Sequence, residues 1–190
     1  MLRGARIPPA FQSKSLDGYD AIHPGQVTAL SACRDYVERF DEYAKAGRCL
    51  IIVGTCGAGK THLACGIGNA LLARRKTVLF CTVSELMDEF AATWRRDAQT
   101  TEREVVNSFS AADLLILDDV GVQNGSNQEQ ITLYRVIDAR YRLRKPTVVS
   151  SNLDIDGTVK SLGARSFDRL REGGASMVLC NWLSYRGSNR

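Results

Sequence analysis

At residues 54–61 the chain reads Gly54-Thr55-Cys56-Gly57-Ala58-Gly59-Lys60-Thr61, directly after the apolar residues 50–53. The spacing Gly-x-x-x-x-Gly-Lys-Thr is that of a phosphate-binding loop between a strand and a helix. Glycines let such a loop curl with its N–H groups inward, and the following helix directs its positive end at the same anion. A glycine-rich turn without a ligand is the alternative, but the full pattern in this context predicts a nucleoside triphosphate site.

Two side chains of this loop have distinct expected roles. Lys60 is predicted to reach the β- and γ-phosphates from a position open to solvent, and the Thr61 hydroxyl to ligate Mg²⁺. His62 follows at the start of the expected helix. The residues expected to contact the nucleotide are Gly54, Thr55, Cys56, Gly57, Ala58, Gly59, Lys60, Thr61 and His62.

Length and composition are those of a globular protein. The 190 residues suffice for one domain with a sizeable core, and 44% of them are hydrophobic and 24% charged. No apolar run approaches the roughly 20 residues that cross a bilayer, and the N-terminus lacks the apolar core of a secretory signal. Six cysteines without a Cys-x-x-Cys pair fit reduced thiols better than disulfides or zinc ligands. These features predict a cytoplasmic location and no membrane partner.

Positive charge is concentrated in the second half of the chain. The formal net charge is +4, but residues 131–171 alone carry nine basic and four acidic residues. An anionic partner at this region and an ordinary solvated helix face explain the excess equally well.

Apolar periodicity, caps and breakers divide the chain into a lead-in, residues 1–24, and one domain, residues 25–190. The predicted helices cover 25–46, 60–74, 85–97, 99–109, 127–144 and 156–171, and the predicted strands cover 49–53, 77–82, 113–118, 147–151 and 175–181. Ser84 is the expected cap of the third helix, and Thr101 with Glu104 fits a capping box in the fourth. Strands alternating with helices predict an α/β fold, a parallel sheet with helices on both faces.

A second nucleotide signature lies at the end of the third strand. Residues 114–117 are apolar and deliver Asp118 and Asp119 to the carboxyl end of the strand, where open α/β sheets bind their ligands. Asp118 is predicted to hold Mg²⁺ through water, and Asp119 to orient the attacking water. A strand that simply ends in two acidic turn residues is the alternative, which the phosphate-binding loop upstream disfavours.

The next strand also ends in polar residues, Ser150-Ser151-Asn152. A side chain at this point could hydrogen-bond the γ-phosphate or the attacking water. An ordinary Ser/Asn exit from a strand explains the composition as well.

Arg165 and Arg169 lie four residues apart, on one face of the last predicted helix. Such a face could project a guanidinium toward a phosphate. Spacing alone favours surface pairing instead, of Arg165 with Asp168 and of Arg169 with Glu172.

Trp94-Arg95-Arg96 is a candidate nucleic-acid contact, because an indole beside guanidinium groups suits stacking on unpaired bases. Leu86, Phe90 and Trp94 are, however, spaced as one apolar stripe. The stripe predicts that the indole lies in the core, with the two arginines free to meet phosphates.

Taken together, these passages resemble the ATPase domain of the DnaC-type helicase loaders, a branch of the AAA+ superfamily related to the DnaA initiators. The resemblance covers most of the chain. It is carried by Arg6-Ile7-Pro8, residues 15–19, residues 59–64, residues 113–121, Asp168-Arg169-Leu170-Arg171 and Asn181-Trp182-Leu183-Ser184-Tyr185-Arg186.

The resemblance implies an AAA+ fold with a five-stranded parallel sheet, and ATP and Mg²⁺ as cofactors. It assigns Asn152 as the first sensor, Arg169 as an arginine finger offered to a neighbouring subunit with Arg165 as its companion, and Arg186 as the second sensor. The residues expected to act in catalysis are Lys60, Asp119, Asn152, Arg169 and Arg186.

The family also implies a role in the initiation of DNA replication. Its members bind single-stranded DNA, deliver a replicative helicase and assemble into homo-oligomers with ATP between subunits. By this resemblance the chain is predicted to be an ATPase that loads a helicase, with Trp94, Arg95 and Arg96 as candidate DNA contacts.

Two departures from the family pattern affect these predictions. Asp119 stands where AAA+ proteins usually carry glutamate, so hydrolysis is predicted to be slow. The family's N-terminal helicase-binding domain has no counterpart here, since the chain starts almost at Arg6-Ile7-Pro8. The sequence is therefore either a fragment of a longer protein or a naturally short form of the family.

Three other functions compete with helicase loading. The first is the similar ATPase helper of insertion-sequence transposition, which would bind duplex DNA. The second is a small-molecule phosphotransferase, for which no lid segment is evident. The third is a nucleotide-binding remnant without turnover.

Overall fold

The computed structural model describes residues 2–121 and 126–185, and of Leu2 and Arg3 only the backbone. The helices are α1 (Leu2–Ala5), α2 (Pro24–Glu38), α3 (Phe40–Ala46), α4 (Lys60–Ala73), α5 (Val83–Ala92), α6 (Glu102–Ala111), α7 (Asn127–Arg142), α8 (Ile155–Leu162) and α9 (Ala164–Glu172), with a 3₁₀ turn at Pro9–Phe11. The strands are β1 (Leu50–Gly54), β2 (Val78–Thr82), β3 (Leu114–Val120), β4 (Thr147–Ser151) and β5 (Ser176–Cys180). Within the described ranges, no helix has the length and apolar character needed to span a membrane.

The five strands form one parallel sheet in the order β2-β3-β4-β1-β5, which confirms the predicted fold class. Because all strands run the same way, their carboxyl ends share one edge of the sheet. The order places the end of β4 between the ends of β1 and β3. The phosphate-binding loop, Asn152 and Asp118 are therefore brought side by side at that edge.

Alternate residues of each strand face opposite sides of the sheet, and each side has its own core. In β1, Ile52 packs in the cluster that contains residues of α2, α3 and α4, whereas Ile51 packs in the cluster that contains residues of α5, α6, α7 and α9. Both isoleucines are fully buried. Helices on both faces are thus observed, as predicted.

The lead-in contributes to the first of these cores. Ala5, Ile7, Leu16 and Tyr19 are buried in the same cluster as α2 and α4. The Asn69 side chain of α4 holds this segment through hydrogen bonds from Nδ2 to the carbonyl oxygens of Phe11, at 2.9 Å, and Lys14, at 2.7 Å. The lead-in therefore packs against the remainder of the chain.

Two helices that the sequence predicts as continuous are each broken. The helix predicted over 25–46 divides at Arg39, which has φ −96° and ψ 15°, and α3 then buries Phe40 and Tyr43 in the core. The helix predicted over 156–171 divides at Gly163, whose φ of 79° favours glycine. The first break accompanies the burial of Phe40 and Tyr43, and the second occurs at a backbone conformation that glycine adopts more readily than other residues.

The boundaries around α5 and β3 also differ from the prediction. Thr82, and not Ser84, caps α5, with a capping box that Glu85 completes. The helix ends at Ala92 rather than at residue 97. Strand β3 continues beyond Asp118 to Val120, because an irregularity between Leu117 and Val120 lets Val120 pair with Ser151. The capping box of Thr101 and Glu104 at the start of α6 is confirmed.

Arg140 is a buried cation that joins α6, α7 and the start of β4. It is 1% exposed, and its guanidinium donates to the carbonyl oxygens of Phe109, at 2.9 Å, and Ala112, at 3.1 Å, and to the Thr147 hydroxyl, at 3.1 Å. Burial lowers the pKa of Arg140 to about 10, so the group stays charged at neutral pH.

Replacing Arg140 by methionine is expected to destabilise the fold strongly. Several buried acceptors would lose their donor, at about 1–3 kcal/mol for each group left unsatisfied. We expect a loss of at least roughly 3 kcal/mol, which for a chain of this length lowers Tm by about 6–12 °C. Arg142→Met is the control on the same helix, because the Arg142 side chain is 74% exposed and its buried partner Asp138 keeps Arg169 as a second cation. Calorimetry that shows equal Tm values for the two variants would contradict this role.

Candidate nucleotide-binding site

The phosphate-binding loop joins β1 to α4 with the curled backbone that its glycines require. Gly57 has φ 78° and Gly59 has φ 88°, both in the left-handed region. A Cβ atom on Gly59 would lie 2.9 Å from the Tyr19 ring, so close approach as well as backbone geometry excludes a side chain there. The loop leads directly into the N-terminus of α4, where N–H groups and the helix dipole attract an anion.

Lys60 is folded back onto the loop instead of standing in open solvent, so that part of the prediction is wrong. Its Nζ atom donates to the carbonyl oxygens of Gly54, at 3.0 Å, and Thr55, at 2.7 Å, and the residue is 5% exposed. Burial lowers the pKa of Lys60. The loop backbone thus holds the cation where phosphate oxygens would compete for it.

Asp118 lies at the centre of a buried polar group. The Thr61 hydroxyl donates to its Oδ2 atom at 2.9 Å, and the Ser150 hydroxyl donates to Oδ1. Burial raises the pKa of Asp118, which is 3% exposed, and the hydrogen bond from Ser150 opposes that rise. The Thr61 and Asp118 oxygens are the type of donor that Mg²⁺ prefers. No set of three or more His, Cys, Asp or Glu side chains among the described residues is placed to hold a metal ion, so phosphate and water would supply the other ligands.

Asp119 and Asn152 meet at the carboxyl edge of the sheet. Asn152 Nδ2 donates to Asp119 Oδ1 at 3.2 Å, as the strand order allows. Asp119 has φ 57°, a left-handed conformation that aspartate tolerates better than most residues. The left-handed backbone at residue 119 therefore favours aspartate over a longer side chain.

A cavity of about 850 Å³ opens beside the loop and is large enough for a nucleotide. Of the residues predicted to bind or act on ATP, its walls include Cys56, Gly57, Gly59, Lys60, Thr61, His62, Asp118, Asp119 and Asn152. The sequence did not reveal the remaining lining residues, which are Pro8, Phe11, Lys14, Gly18, Tyr19, Asp20, Phe80, Thr82, Glu85 and Tyr185.

The lead-in forms one wall of this cavity. The Tyr19 hydroxyl donates to the Ala58 carbonyl oxygen at 3.1 Å, and burial raises the pKa of Tyr19. The His62 ring meets Tyr19 edge-on at 5.3 Å and lies 2.9 Å from the Ser15 carbonyl oxygen through Nε2. Residues 15–19 and 59–64 contribute to the family resemblance, but no local sequence pattern predicted that residues 15–19 lie at the nucleotide site.

Residues 182–185 fasten the other side of the loop. Trp182 Nε1 donates to the Ala58 carbonyl oxygen at 2.9 Å, and the Thr55 hydroxyl donates to the Trp182 carbonyl oxygen at 2.8 Å. The Tyr185 N–H donates to the Gly57 carbonyl oxygen at 3.1 Å. Arg186, the predicted second sensor, is the next residue in the chain and lies outside the described residues.

Arg169 does not line the cavity of its own chain. Its guanidinium lies 3.3 Å from Glu172 Oε2, 3.3 Å from Asp138 Oδ1 and 4.5 Å from the centre of the Tyr141 ring. The surface pairing of Arg169 with Glu172 is thus confirmed. Within residues 2–121 and 126–185, no ion pair joins Arg165 to Asp168.

Trp94 is not a core residue, and that prediction is wrong. It is 53% exposed, while Leu86 and Phe90 of the same apolar stripe are fully buried. Because α5 ends at Ala92, position 94 no longer follows the inward face of the helix. The indole Nε1 donates to Glu102 Oε1 at 2.7 Å, which orients the ring at the surface. Arg95 and Arg96 are exposed beside it.

Comparison with known proteins agrees with this geometry. The family described as IstB-like ATP binding protein matches residues 17–167. The chain belongs to this IstB-like ATP-binding family. The replicative helicase loader DnaC of Escherichia coli (strain K12) is 38% identical to it over 95% of this chain and 72% of that protein. DnaC of Buchnera aphidicola subsp. Acyrthosiphon pisum (strain APS) is 35% identical over the same shares.

Solved structures show the fold of this IstB-like protein. A crystal structure of the DnaC helicase loader has a TM-score of 0.78 and 22% identity, covering 91% of this chain and 99% of that chain. AMPPCP-bound DnaA from Aquifex aeolicus has a TM-score of 0.73 and 22% identity, covering 91% of this chain and 51% of that chain. These structures confirm the predicted fold, and the 38% identity with DnaC confirms the resemblance to the DnaC-type loaders.

Proposed function

We propose that this IstB-like protein is an ATP-dependent helicase loader of the DnaC type, which binds Mg·ATP and single-stranded DNA during the initiation of replication. The observation that carries the proposal is the 38% identity with DnaC over 95% of the chain. The cavity beside a complete phosphate-binding loop supports the ATP-dependent part. The proposed ATPase domain is residues 25–190, with the lead-in packed against it.

Within the site, each side chain has a proposed task. The loop N–H groups and Lys60 would bind the β- and γ-phosphates, with Lys60 exchanging its bonds to Gly54 and Thr55 for phosphate oxygens. Mg²⁺, held by Thr61 and through water by Asp118, would neutralise charge on the phosphates. Asn152 and Asp119, already hydrogen-bonded to each other, would contact the γ-phosphate and the attacking water.

Slow turnover is expected because Asp119 is one methylene shorter than glutamate. A retreat of about 1 Å from the attacking water costs on the order of 10²-fold in rate. We expect Asp119→Glu to raise kcat with little change in ATP affinity. The left-handed backbone at residue 119 opposes the longer residue, so a small fall in Tm should accompany the gain. Steady-state phosphate release measures the effect, and unchanged or lower kcat would show that Asp119 does not position the water.

Single-stranded DNA is proposed to bind at Trp94, Arg95 and Arg96, and the exposure of Trp94 supports this site. We expect Arg95→Ala with Arg96→Ala to reduce the slope of log affinity against log salt by about 0.7 for each phosphate that the protein no longer neutralises. Trp94→Ala should weaken binding by about 1–3 kcal/mol without changing that slope.

Fluorescence anisotropy with a labelled oligonucleotide at several salt concentrations tests both DNA expectations. Arg34→Ala with Lys45→Ala is the control pair, because α2 and α3 contribute to the core on the other face of the sheet from α5. Equal slopes for the two double variants would exclude Arg95 and Arg96 as phosphate contacts.

Contact with a replicative helicase is proposed on the similarity to DnaC alone. The chain corresponds to 72% of the length of DnaC from Escherichia coli (strain K12). The test is co-migration of the purified chain with a replicative helicase in the presence of ATP. If the two proteins migrate separately at micromolar concentrations, the proposed loading function is contradicted, whereas the proposals of ATP and DNA binding are unaffected.

A helper ATPase of insertion-sequence transposition is the second candidate. The family that matches residues 17–167 is described as IstB-like ATP binding protein, which favours this alternative. Such a protein would prefer duplex DNA. Competition between duplex and single strands of the same sequence separates the two functions, and preference for the duplex would favour the transposition helper.

A further inference from the structure

Two capping boxes in this chain have the same geometry but different surroundings. In the first, Glu85 Oε2 accepts hydrogen bonds from Thr82 N at 2.8 Å and from the Thr82 hydroxyl at 2.9 Å. In the second, Glu104 Oε2 accepts from Thr101 N at 2.8 Å and from the Thr101 hydroxyl at 2.9 Å. Only the first box, Thr82 and Glu85, lines the nucleotide cavity among the described residues.

The topology of the sheet explains why this box reaches the cavity. Thr82 ends β2 and is the register partner of Asp118 in β3. Neighbouring strands lie about 4.8 Å apart, so the box begins one strand spacing from the proposed magnesium ligand. Glu85 thus enters the carboxyl edge of the sheet from the side opposite to Asn152, whose strand β4 adjoins β3 on its other flank.

Capping uses one oxygen of the Glu85 carboxylate. Both hydrogen bonds go to Oε2, and Oε1 makes no hydrogen bond or ion pair with any part of the chain that the structure describes. The residue is exposed, so the carboxylate meets the water of the cavity. The box also holds the side chain in one orientation, and such preorganisation is what a catalytic group needs.

Asp119 is one methylene shorter than glutamate, so its carboxylate is expected to lie about 1 Å farther from the attacking water. Like Glu85, it has one oxygen engaged, in this case by Asn152. We propose that Glu85 is a second carboxylate for the attacking water, which accepts a hydrogen bond from it and, directly or through one further water, its proton. This inference rests on the proposed function, because it concerns ATP hydrolysis at the same site.

The step balances without another reactant. The water oxygen bonds to the γ-phosphorus, and the bond from that phosphorus to the bridging oxygen breaks with its electron pair remaining on ADP. One proton of the water passes to the carboxylate and then to solvent, leaving ADP and inorganic phosphate. General-base assistance of this kind contributes about 10²–10⁴-fold to a rate.

The test compares Glu85→Gln with Glu104→Gln. Glutamine keeps an oxygen that accepts the capping hydrogen bonds, so both variants should lose the same small amount of Tm. We expect Glu85→Gln to lower kcat by at least about 10-fold while the Kd for ATP stays within roughly 2-fold. Glu104→Gln should leave both kcat and Kd unchanged within roughly 2-fold.

A split between kcat and Kd in Glu85→Gln, at a Tm equal to that of Glu104→Gln, supports the proposal, since a capping role alone would not produce it. Equal kcat for the two variants, with wild-type turnover intact, overturns this inference and leaves the proposed ATPase standing. Wild-type turnover no higher than that of Lys60→Ala overturns the hydrolytic function, and this inference with it.

Discussion

Lys60→Ala is expected to lower ATP affinity by roughly 10²-fold or more. Each hydrogen bond between a charged donor and a charged acceptor is worth about 1.5–3 kcal/mol, and this ammonium would make at least two with the phosphates. The structure shows the cation already lying in the loop, bonded to the carbonyl oxygens of Gly54 and Thr55. Isothermal titration with ATP measures the effect.

Folding of Lys60→Ala should survive, for a reason that the structure supplies. In the free protein, burial lowers the pKa of Lys60, so the desolvation of the ammonium opposes the gain from its two hydrogen bonds. Lys76→Ala is the matched control, because Lys76 follows the same helix, pairs with Asp41 at 2.5 Å and is not part of the cavity wall. Equal ATP affinity for the two variants would show that Lys60 does not bind the phosphates of ATP.

The second large effect concerns Arg169, which we expect to act on the nucleotide of a neighbouring subunit. Arg169→Ala should reduce turnover by up to ~10³-fold, as expected when a finger that stabilises charge on the γ-phosphate is removed. In the single chain Arg169 pairs with Glu172 and Asp138. To act between subunits, its guanidinium must leave these carboxylates and bind phosphate when the subunits assemble.

Mixing variants tests whether the arginine acts between subunits. Lys60→Ala and Arg169→Ala proteins should each hydrolyse ATP poorly, but an intact loop from the second can face an intact arginine from the first. Partial activity should then return on mixing and rise with total protein concentration, which reports assembly. Arg171→Ala, on the same helix with its guanidinium 5.7 Å from the Phe167 ring, is the control and should need no complementation.

Failure of complementation in variants that demonstrably co-assemble would assign Arg169 to its ion pairs alone. In that case Arg169→Ala should alter Tm without altering the turnover of the assembled protein. The contacts of Arg169 with Asp138, Tyr141, Glu172 and Tyr134 would then be structural only.

Short-range patterns in the sequence determined much of the site. The loop pattern at residues 54–61 predicted a nucleotide site, and the apolar run before Asp118 predicted a central strand ending in carboxylates. The alternation of strands and helices predicted the parallel sheet, and Thr101 with Glu104 predicted the capping box of α6, although the helix begins at Glu102 and not at residue 99. Such features depend on backbone geometry within a few residues, so they can be recognised without knowing the surroundings.

Tertiary structure determined which distant segments contact the elements that these patterns predict. Trp94 continues an apolar stripe in the sequence, yet it lies at the surface because Thr93 ends the helix before the stripe is complete. The lead-in and residues 182–185 are far apart in the chain, but both bond to the Ala58 carbonyl oxygen and enclose the loop. In the sequence Glu85 is only the first residue of a predicted helix, and the pairing of β2 with β3 brings it to the cavity. These outcomes depend on contacts between distant segments, whose energies are set by packing and desolvation and leave no periodic signal in the sequence.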